Sequence, residues 1–167
     1  RAYVALMKLR VVELLIISTI PAMILAEEGV PSFELIIATL VGGTLAAGSA
    51  NAFNMVLESD LDKLMERTST RPLVTGAISK MHATIFASVI GLLSLTIFWI
   101  FTEPLATLLT AVAIAFYVIV YTMALKRHTS QNIVWGGAAG CMPVFIGLAA
   151  VTNSLSWAAV AFFFVVF

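Results

Sequence analysis

The sequence predicts an all-α, polytopic bundle of transmembrane helices, and three observations support this prediction. Hydrophobic residues make up 61% of the 167 positions and charged residues only 11%, whereas soluble domains have about 25% charged residues. Mean hydropathy is +1.06. Uncharged stretches recur at about the 20 residues that an α-helix needs to cross a bilayer. These properties exclude an ordinary soluble domain and make the lipid bilayer the first expected partner.

The uncharged stretches predict about six helices. The first helix covers 11–26 and carries Glu13 in its first turn. The final uncharged stretch, 129–167, is long enough for two helices, which divide at the polar segment 151–156. The stretches that fit one helix each are 35–57, 81–102 and 104–125. Because the chain starts with Arg1 and ends inside an apolar run, we expect a single domain over 1–167 that forms the N-terminal portion of a longer polypeptide.

The positive charges predict how the bundle is oriented. All nine Lys and Arg residues fall before the first helix, after the second or after the fourth, and the opposite connections have none. Since Lys and Arg accumulate on the cytoplasmic side of membrane proteins, we predict a multi-pass protein of the cell inner membrane with its charged connections in the cytoplasm. The net charge is zero, so nothing suggests nucleic acid as a partner.

A polar cluster follows the second helix, in the cytoplasmic region between residues 54 and 72. Its central members are Asn54, Glu58 and Asp62, which share one face of a helix because they are four residues apart. One amide and two carboxylates are the hard oxygen ligands that Mg²⁺ prefers, and Mg²⁺ commonly shares its coordination with substrate phosphates. We therefore predict that these three residues are metal ligands and catalytic residues. Asp60 lies about 200° around the helix from Glu58 and is a weaker candidate.

If the substrate of this metal site is a diphosphate, positive residues near the cluster could bind its phosphate oxygens directly. Arg binds such oxygens in a bidentate manner and Lys acts as a point charge. The predicted diphosphate contacts are Arg67, Arg71, Lys126 and Arg127. Lys63 is more typical of a surface charge. A simpler interpretation is that the whole cluster is a solvated loop, since charges commonly follow a membrane helix.

Two motifs resemble the UbiA superfamily of membrane prenyltransferases. Asn54-x₃-Glu58-x₃-Asp62 is similar to the family's first Asp-rich signature, N-x-x-x-D-x-x-x-D, with Glu in place of one Asp. The block from Tyr121 to Pro143 resembles the branch of the family that farnesylates heme b, and the likeness is continuous from residue 8 to about 150. Leu9 departs from this pattern, because a Pro is expected there.

The resemblance implies a nine-helix fold, of which this chain would hold about six helices and only the first of two Asp-rich motifs. It implies Mg²⁺-dependent transfer of a farnesyl group from farnesyl diphosphate to the 2-vinyl group of heme b, which gives heme O. Heme A synthase or a second copy of the protein would be a further partner. The chain alone would be inactive, because half of the metal site would be missing.

Two other functions fit the sequence less well. A related prenyltransferase could alkylate an aromatic acceptor such as 4-hydroxybenzoate, but the block from Lys126 to Pro143 argues against it. A transporter or channel would be expected to have charges or broken helices at the middle of the bilayer, whereas the charges here cluster at one side. His82 and His128 lack metal-ligand spacing, so neither predicts a heme ligand.

Overall fold

The computed structural model of the protein describes residues 2–126, 129 and 131–167, and within them every regular element is helical. Six apolar helices, of which the last is short, occur in the described residues where the uncharged stretches predicted them, which confirms the all-α bundle. A π-helical segment, Phe116–Leu125, continues the fourth of these helices. The α-helices are α1 (Ala2–Met7), α2 (Leu9–Glu27), α3 (Phe33–Asp62), α4 (Lys80–Phe101), α5 (Pro104–Ala115), α6 (Asn132–Thr152) and α7 (Trp157–Val166).

Short polar residues determine where several helices begin. The Ser32 hydroxyl accepts a hydrogen bond from the Leu35 N–H at 3.3 Å, at the start of α3. The Ser79 hydroxyl accepts one from the His82 N–H at 3.2 Å, at the start of α4. Such N-caps satisfy backbone donors that have no partner inside the helix. Pro104 occupies the first turn of α5, where its missing N–H has no cost.

Four helices in the described part of the chain are long and apolar enough to cross a membrane. They are Phe33–Asp62, Lys80–Phe101, Pro104–Leu125 and Asn132–Thr152. Large apolar side chains on their outer faces, such as Trp99 and Leu92 on α4, are mostly exposed. A soluble protein would bury such a surface, whereas lipid solvates it. The chain is therefore a membrane protein.

Helices α3 and α4 pack closely through small and hydroxyl side chains. The Ser49 hydroxyl donates a hydrogen bond to the Ala87 carbonyl at 2.8 Å, and the Ser94 hydroxyl donates one to the Gly42 carbonyl at 2.7 Å. Membrane helices rely on such contacts because lipid removes the hydrophobic drive for association. The small-residue face of α3 thus becomes a helix–helix interface, which orients its polar C-terminal turns.

The short helix α1 was not predicted, since it precedes the first apolar stretch. Its Leu6 is fully buried in a cluster with Met55 of α3. Leu73 and Ile78, from the connection between α3 and α4, belong to the same cluster. This packing encloses one end of the bundle, where the charged connections meet. We call it the charged end, and it comprises the start of α2, the ends of α3 and the π segment, and the start of α4.

Candidate functional site

The last two turns of α3 carry three buried polar side chains to the charged end. Asn54, Glu58 and Asp62 are only 1%, 4% and 2% exposed, and helical spacing places them along one face. The helix continues to Asp62 because Thr68 folds back and its hydroxyl donates a hydrogen bond of 2.7 Å to the Asp62 carbonyl. Charged groups are buried at this level only when partners compensate them, so the site must supply positive charge.

Two cations from separate connections pair with the two carboxylates. Lys126, just after the π segment, places its Nζ 2.6 Å from Glu58 Oε1. Arg71, in the connection between α3 and α4, donates from a guanidinium nitrogen to Asp62 Oδ2 at 2.5 Å. Both carboxylates are nearly inaccessible, so these pairs are much less screened than surface ion pairs. The structure thus places Arg71 and Lys126 beside the cluster, and their predicted role as diphosphate contacts stays a prediction.

A third cation, Lys8, completes the ring of positive charge. Its Nζ donates a hydrogen bond of 3.1 Å to Asn54 Oδ1. Its backbone is left-handed, with φ 52°, a conformation that a non-glycine residue rarely adopts and that here joins α1 to α2. Burial, followed by the charges of Arg71 and Lys126, lowers the pKa of the Lys8 ammonium to about 8. Three cations thus face the amide and the two carboxylates of α3 at this end.

The π segment positions the remaining polar partner of Asn54. The Asn54 amide donates from Nδ2 to the Thr122 hydroxyl at 3.2 Å, and that hydroxyl donates onward to the Tyr117 carbonyl at 2.8 Å. The hydroxyl reaches this carbonyl because a π-helical turn places residues five apart above one another, and such turns occur frequently at functional sites. Both ends of the Asn54 side chain are thus oriented, with its oxygen facing Lys8.

The side-chain oxygens of Asn54, Glu58 and Asp62 are of the kind that binds a magnesium ion, and one oxygen of Asp62 gives the main support. Asp62 Oδ1 is buried and has no hydrogen-bond partner in the described part of the chain, although its sister oxygen is paired. A buried carboxylate oxygen left unpaired is costly, and a hard cation with oxygen ligands would satisfy it. No group of three His, Cys, Asp or Glu residues with metal-binding geometry occurs among the described residues. The predicted set instead combines two carboxylates with an amide.

An apolar pocket of about 360 Å³ lies between α3, α5, the π segment and α6. Asn51, Tyr117 and Tyr121 line it near the charged end, and Asn51 is one turn from Asn54 on α3. The rings of Tyr117 and Tyr121 have centroids 5.0 Å apart. The Lys126 ammonium lies 5.8 Å from the Tyr121 ring centroid, within the range of a cation–π interaction. The pocket thus places an apolar volume next to the charged cluster.

Comparison with known proteins agrees with this arrangement. Residues 15–167 match the UbiA prenyltransferase family. The chain belongs to this family. The family prediction from the sequence is thereby confirmed.

Two curated relatives of this UbiA chain carry the same name. Protoheme IX farnesyltransferase of Renibacterium salmoninarum is 55% identical over the whole of this chain, which covers 52% of that protein. The protein of the same name from Streptomyces coelicolor is 54% identical, again over all of this chain and 53% of its own length. The chain therefore spans about half the length of the curated relatives it matches.

Solved structures of UbiA homologs show the same fold. A homolog from Archaeoglobus fulgidus bound to DMAPP and Mg²⁺ superposes with a TM-score of 0.78 at 20% identity, over 99% of this chain and 60% of that one. The apo structure of a homolog from Aeropyrum pernix gives a TM-score of 0.72 at 20% identity, over 97% and 56% of the two chains. At these identities the likeness establishes the fold alone.

Three other charged residues considered in the sequence are exposed, and the predicted diphosphate contact of one of them, Arg67, stays a prediction. Asp60 is exposed and pairs with Lys80 at 3.1 Å, as its angle around the helix suggested. Lys63 and Arg67 are exposed, and Arg67 lies in a short 3₁₀ turn, Glu66–Thr68. Arg127 falls outside the described residues, so its predicted diphosphate contact stays a prediction.

Two residues of the site were not predicted as site residues. Lys8 and Thr122 both contact Asn54 at the charged end. Lys8 was considered as one of the positive charges before the first helix and as the start of the family likeness. Thr122 lies in an apolar helix, and nothing in the sequence around it indicates a functional role, because that role depends on a π turn. Contacts of this kind depend on helix packing, which a local pattern does not encode.

Proposed function

We propose that this chain forms the diphosphate-binding part of a prenyltransferase that makes heme O. Farnesyl diphosphate would lose its C1–O bond, with the electron pair leaving on the diphosphate. The 2-vinyl group of heme b would attack C1, and water would add to the resulting cation and lose a proton. The buried cluster of Asn54, Glu58 and Asp62 facing three cations supports this proposal most strongly, together with the name that the curated relatives share.

The ion pairs suggest how the diphosphate would be held. Lys8, Arg71 and Lys126 now face the oxygens of α3, and each could turn to a phosphate oxygen over a short distance. Arg71 suits a bidentate contact and the two lysines suit single contacts. The three cations outnumber the two carboxylates by one. One positive charge is therefore left to balance the residual negative charge of a magnesium diphosphate.

The oxygens of Asn54, Glu58 and Asp62 would hold Mg²⁺ in this site. When bound, Mg²⁺ would neutralise charge that develops on the departing diphosphate. The same three cations, once turned from the oxygens of α3 to the phosphates, would stabilise that charge as well. The rings of Tyr117 and Tyr121 line the pocket just beyond, where they exclude water and present faces that attract positive charge.

The apolar pocket would hold the prenyl chain. Its lining is dominated by small and aliphatic side chains of α3, α5 and α6, which suit a hydrocarbon tail. Keeping water out of this volume protects a reactive allylic cation until the acceptor attacks it. Association with heme A synthase or with a second copy stays a prediction.

A turnover assay tests the proposal. The full-length protein, purified in detergent, is given farnesyl diphosphate and equal amounts of heme b and 4-hydroxybenzoate, with Mg²⁺ or with a chelator. We expect heme O by mass spectrometry, only with Mg²⁺. Prenylated hydroxybenzoate without heme O would favour the aromatic-acceptor alternative. If the protein is reconstituted into vesicles and moves intact farnesyl diphosphate across their membrane, while the assay yields no product, a transporter would be favoured.

Replacing Lys8 by Met tests the cation that the sequence argument missed. Met keeps much of the apolar stem but removes the charge. We expect the KM for farnesyl diphosphate to rise about 10- to 100-fold, because charge-assisted contacts to an anion are strong at a buried site. Arg10→Met is the matched control, since Arg10 is an exposed cation two residues away. An equal effect of both substitutions would reduce the role of Lys8 to general surface charge.

The proposed inner-membrane orientation is tested by cysteine labelling. Ser69 lies in the charged connection after α3, and Ser154 lies in the turn between α6 and α7; both are exposed. The native Cys141 is buried. In intact cells a membrane-impermeant maleimide should label Ser154→Cys but not Ser69→Cys, because positive connections stay in the cytoplasm. Labelling of Ser69→Cys alone would reverse the proposed orientation.

A further inference from the structure

The end of the apolar pocket opposite the charged cluster is bounded by one aromatic side chain. Neighbouring helices run in opposite directions, so Thr39 of α3, Thr110 of α5 and Ile146 of α6 lie together at that end. The phenyl ring of Phe98, near the end of α4, lines the pocket there and is buried. The ring lies against Gly42 of α3 and shares a buried cluster with residues of α5 and α6, so it fills the space between these three helices. We call Phe98 the floor of the pocket.

The depth of the pocket matches one prenyl chain length. Along α3, the distance from Gly42, against which the floor lies, to Asn54 of the charged cluster corresponds to about 18 Å at the rise of an α-helix. An extended C15 chain is about 15 Å long, at roughly 1.25 Å of advance per carbon–carbon bond. A C20 chain is longer by about a third and would meet the floor. The position of the floor therefore separates the two lengths.

Phe98 is held against α3 by the absence of a side chain at Gly42. A Cβ added at Gly42 would lie 2.8 Å from Phe98 Cε2 and 3.0 Å from Cδ2, closer than real contacts allow. The same glycine accepts the hydrogen bond from Ser94, one turn before Phe98 on α4. Behind the ring lie small side chains, since Phe98 shares its cluster with Ala106, Ala149 and Ala150. Removing the ring would thus extend the pocket toward a layer of small residues.

From this geometry we infer that Phe98, held in place by Gly42, sets the longest prenyl chain that the enzyme accepts. The inference rests on the proposed prenyl transfer and adds the residue that determines its chain-length specificity. Phe98 acts at the far end of the tail, about 18 Å from the charged cluster along α3. Its substitution should therefore alter the choice among substrates much more than the bond-breaking step.

Two substitutions should shift specificity in opposite directions. Phe98→Ala deepens the pocket, so we expect the product ratio of C20 to C15 to rise about tenfold or more, the scale on which apolar pockets discriminate by size. Gly42→Ala forces the ring toward the pocket, so we expect the product ratio of C15 to C10 to fall about tenfold. Phe101→Ala removes the same ring from the same helix at an exposed position, and it should leave both ratios within about twofold.

The measurement is a competition assay with the full-length protein, heme b, Mg²⁺ and equimolar C10, C15 and C20 diphosphates, read by mass spectrometry of the products. Opposite shifts in Phe98→Ala and Gly42→Ala support the inference. Unchanged ratios in both variants, while the unsubstituted protein still makes its C15 product, overturn it and leave the proposed function standing. If the unsubstituted protein prenylates nothing, the proposed function fails and the inference falls with it. Should Phe98→Ala not fold, Phe98→Leu and Gly42→Ala decide the matter alone.

Discussion

Replacing Asp62 by Asn is expected to lower heme O formation by the full-length protein about 100-fold or more. Asn keeps the shape of the side chain but loses the charge on the buried oxygen that has no partner in the described structure. Loss of that charge should weaken Mg²⁺ binding and the stabilisation of the leaving diphosphate together. The measurement is initial rate against Mg²⁺ concentration, in which the apparent Mg²⁺ affinity should also fall.

The same helix offers a control for this change. Asp60→Asn makes an identical chemical alteration two residues away, at an exposed residue that pairs with Lys80. Surface pairs of this kind contribute little, so the rate and the Mg²⁺ affinity should stay within about twofold of the original values. If Asp60→Asn and Asp62→Asn lose activity equally, the metal is not held on the buried face of α3.

Replacing Arg71 by Gln is expected to destabilise the ligand-free protein by about 2–4 kcal/mol. Breaking a buried ion pair costs about 3–5 kcal/mol because the remaining charge stays buried, and the estimate is reduced because the Arg71 side chain is 18% exposed. Mg²⁺ should restore more stability to this variant than to the original protein, since Asp62 is then free of its competing cation. Thermal unfolding in detergent, with and without Mg²⁺, measures both effects.

Two further variants isolate the ion pair. Lys80→Gln removes a cation from an exposed pair and should change stability by less than about 0.5 kcal/mol. The double variant Arg71→Gln with Asp62→Asn removes both charges, so it should recover most of the lost stability. A double variant as unstable as Arg71→Gln alone would show that Arg71 acts through packing and not through its charge.

The long helices could be predicted because the apolar stretches of a membrane protein can be read directly along its sequence. The start of α4 at Lys80 and of α5 at Pro104 follow from the ends of uncharged stretches. The face of α3 that carries Glu58 and Asp62 follows from helical spacing alone. These features depend only on residues within one or two turns of each other.

The features that could not be predicted depend on contacts distant in the chain. Helix α1 is too short to show periodicity and exists because Leu6 is buried against α3. The left-handed conformation of Lys8 carries no sequence signature, since glycine is the residue expected there. The π segment is indistinguishable from an α-helix by composition, although it orients Thr122 toward Asn54.

The three cationic contacts of the charged end also bear on how the chain folds during synthesis. Lys8 meets Asn54 across 46 residues and Lys126 meets Glu58 across 68, so neither contact can form until the later helix has been made and inserted. Until then the polar turns of α3 lack these partners, and such an intermediate is exposed to quality control. Once formed, the contacts neutralise the carboxylates with charges from the same chain. The bundle can therefore mature before any ligand arrives.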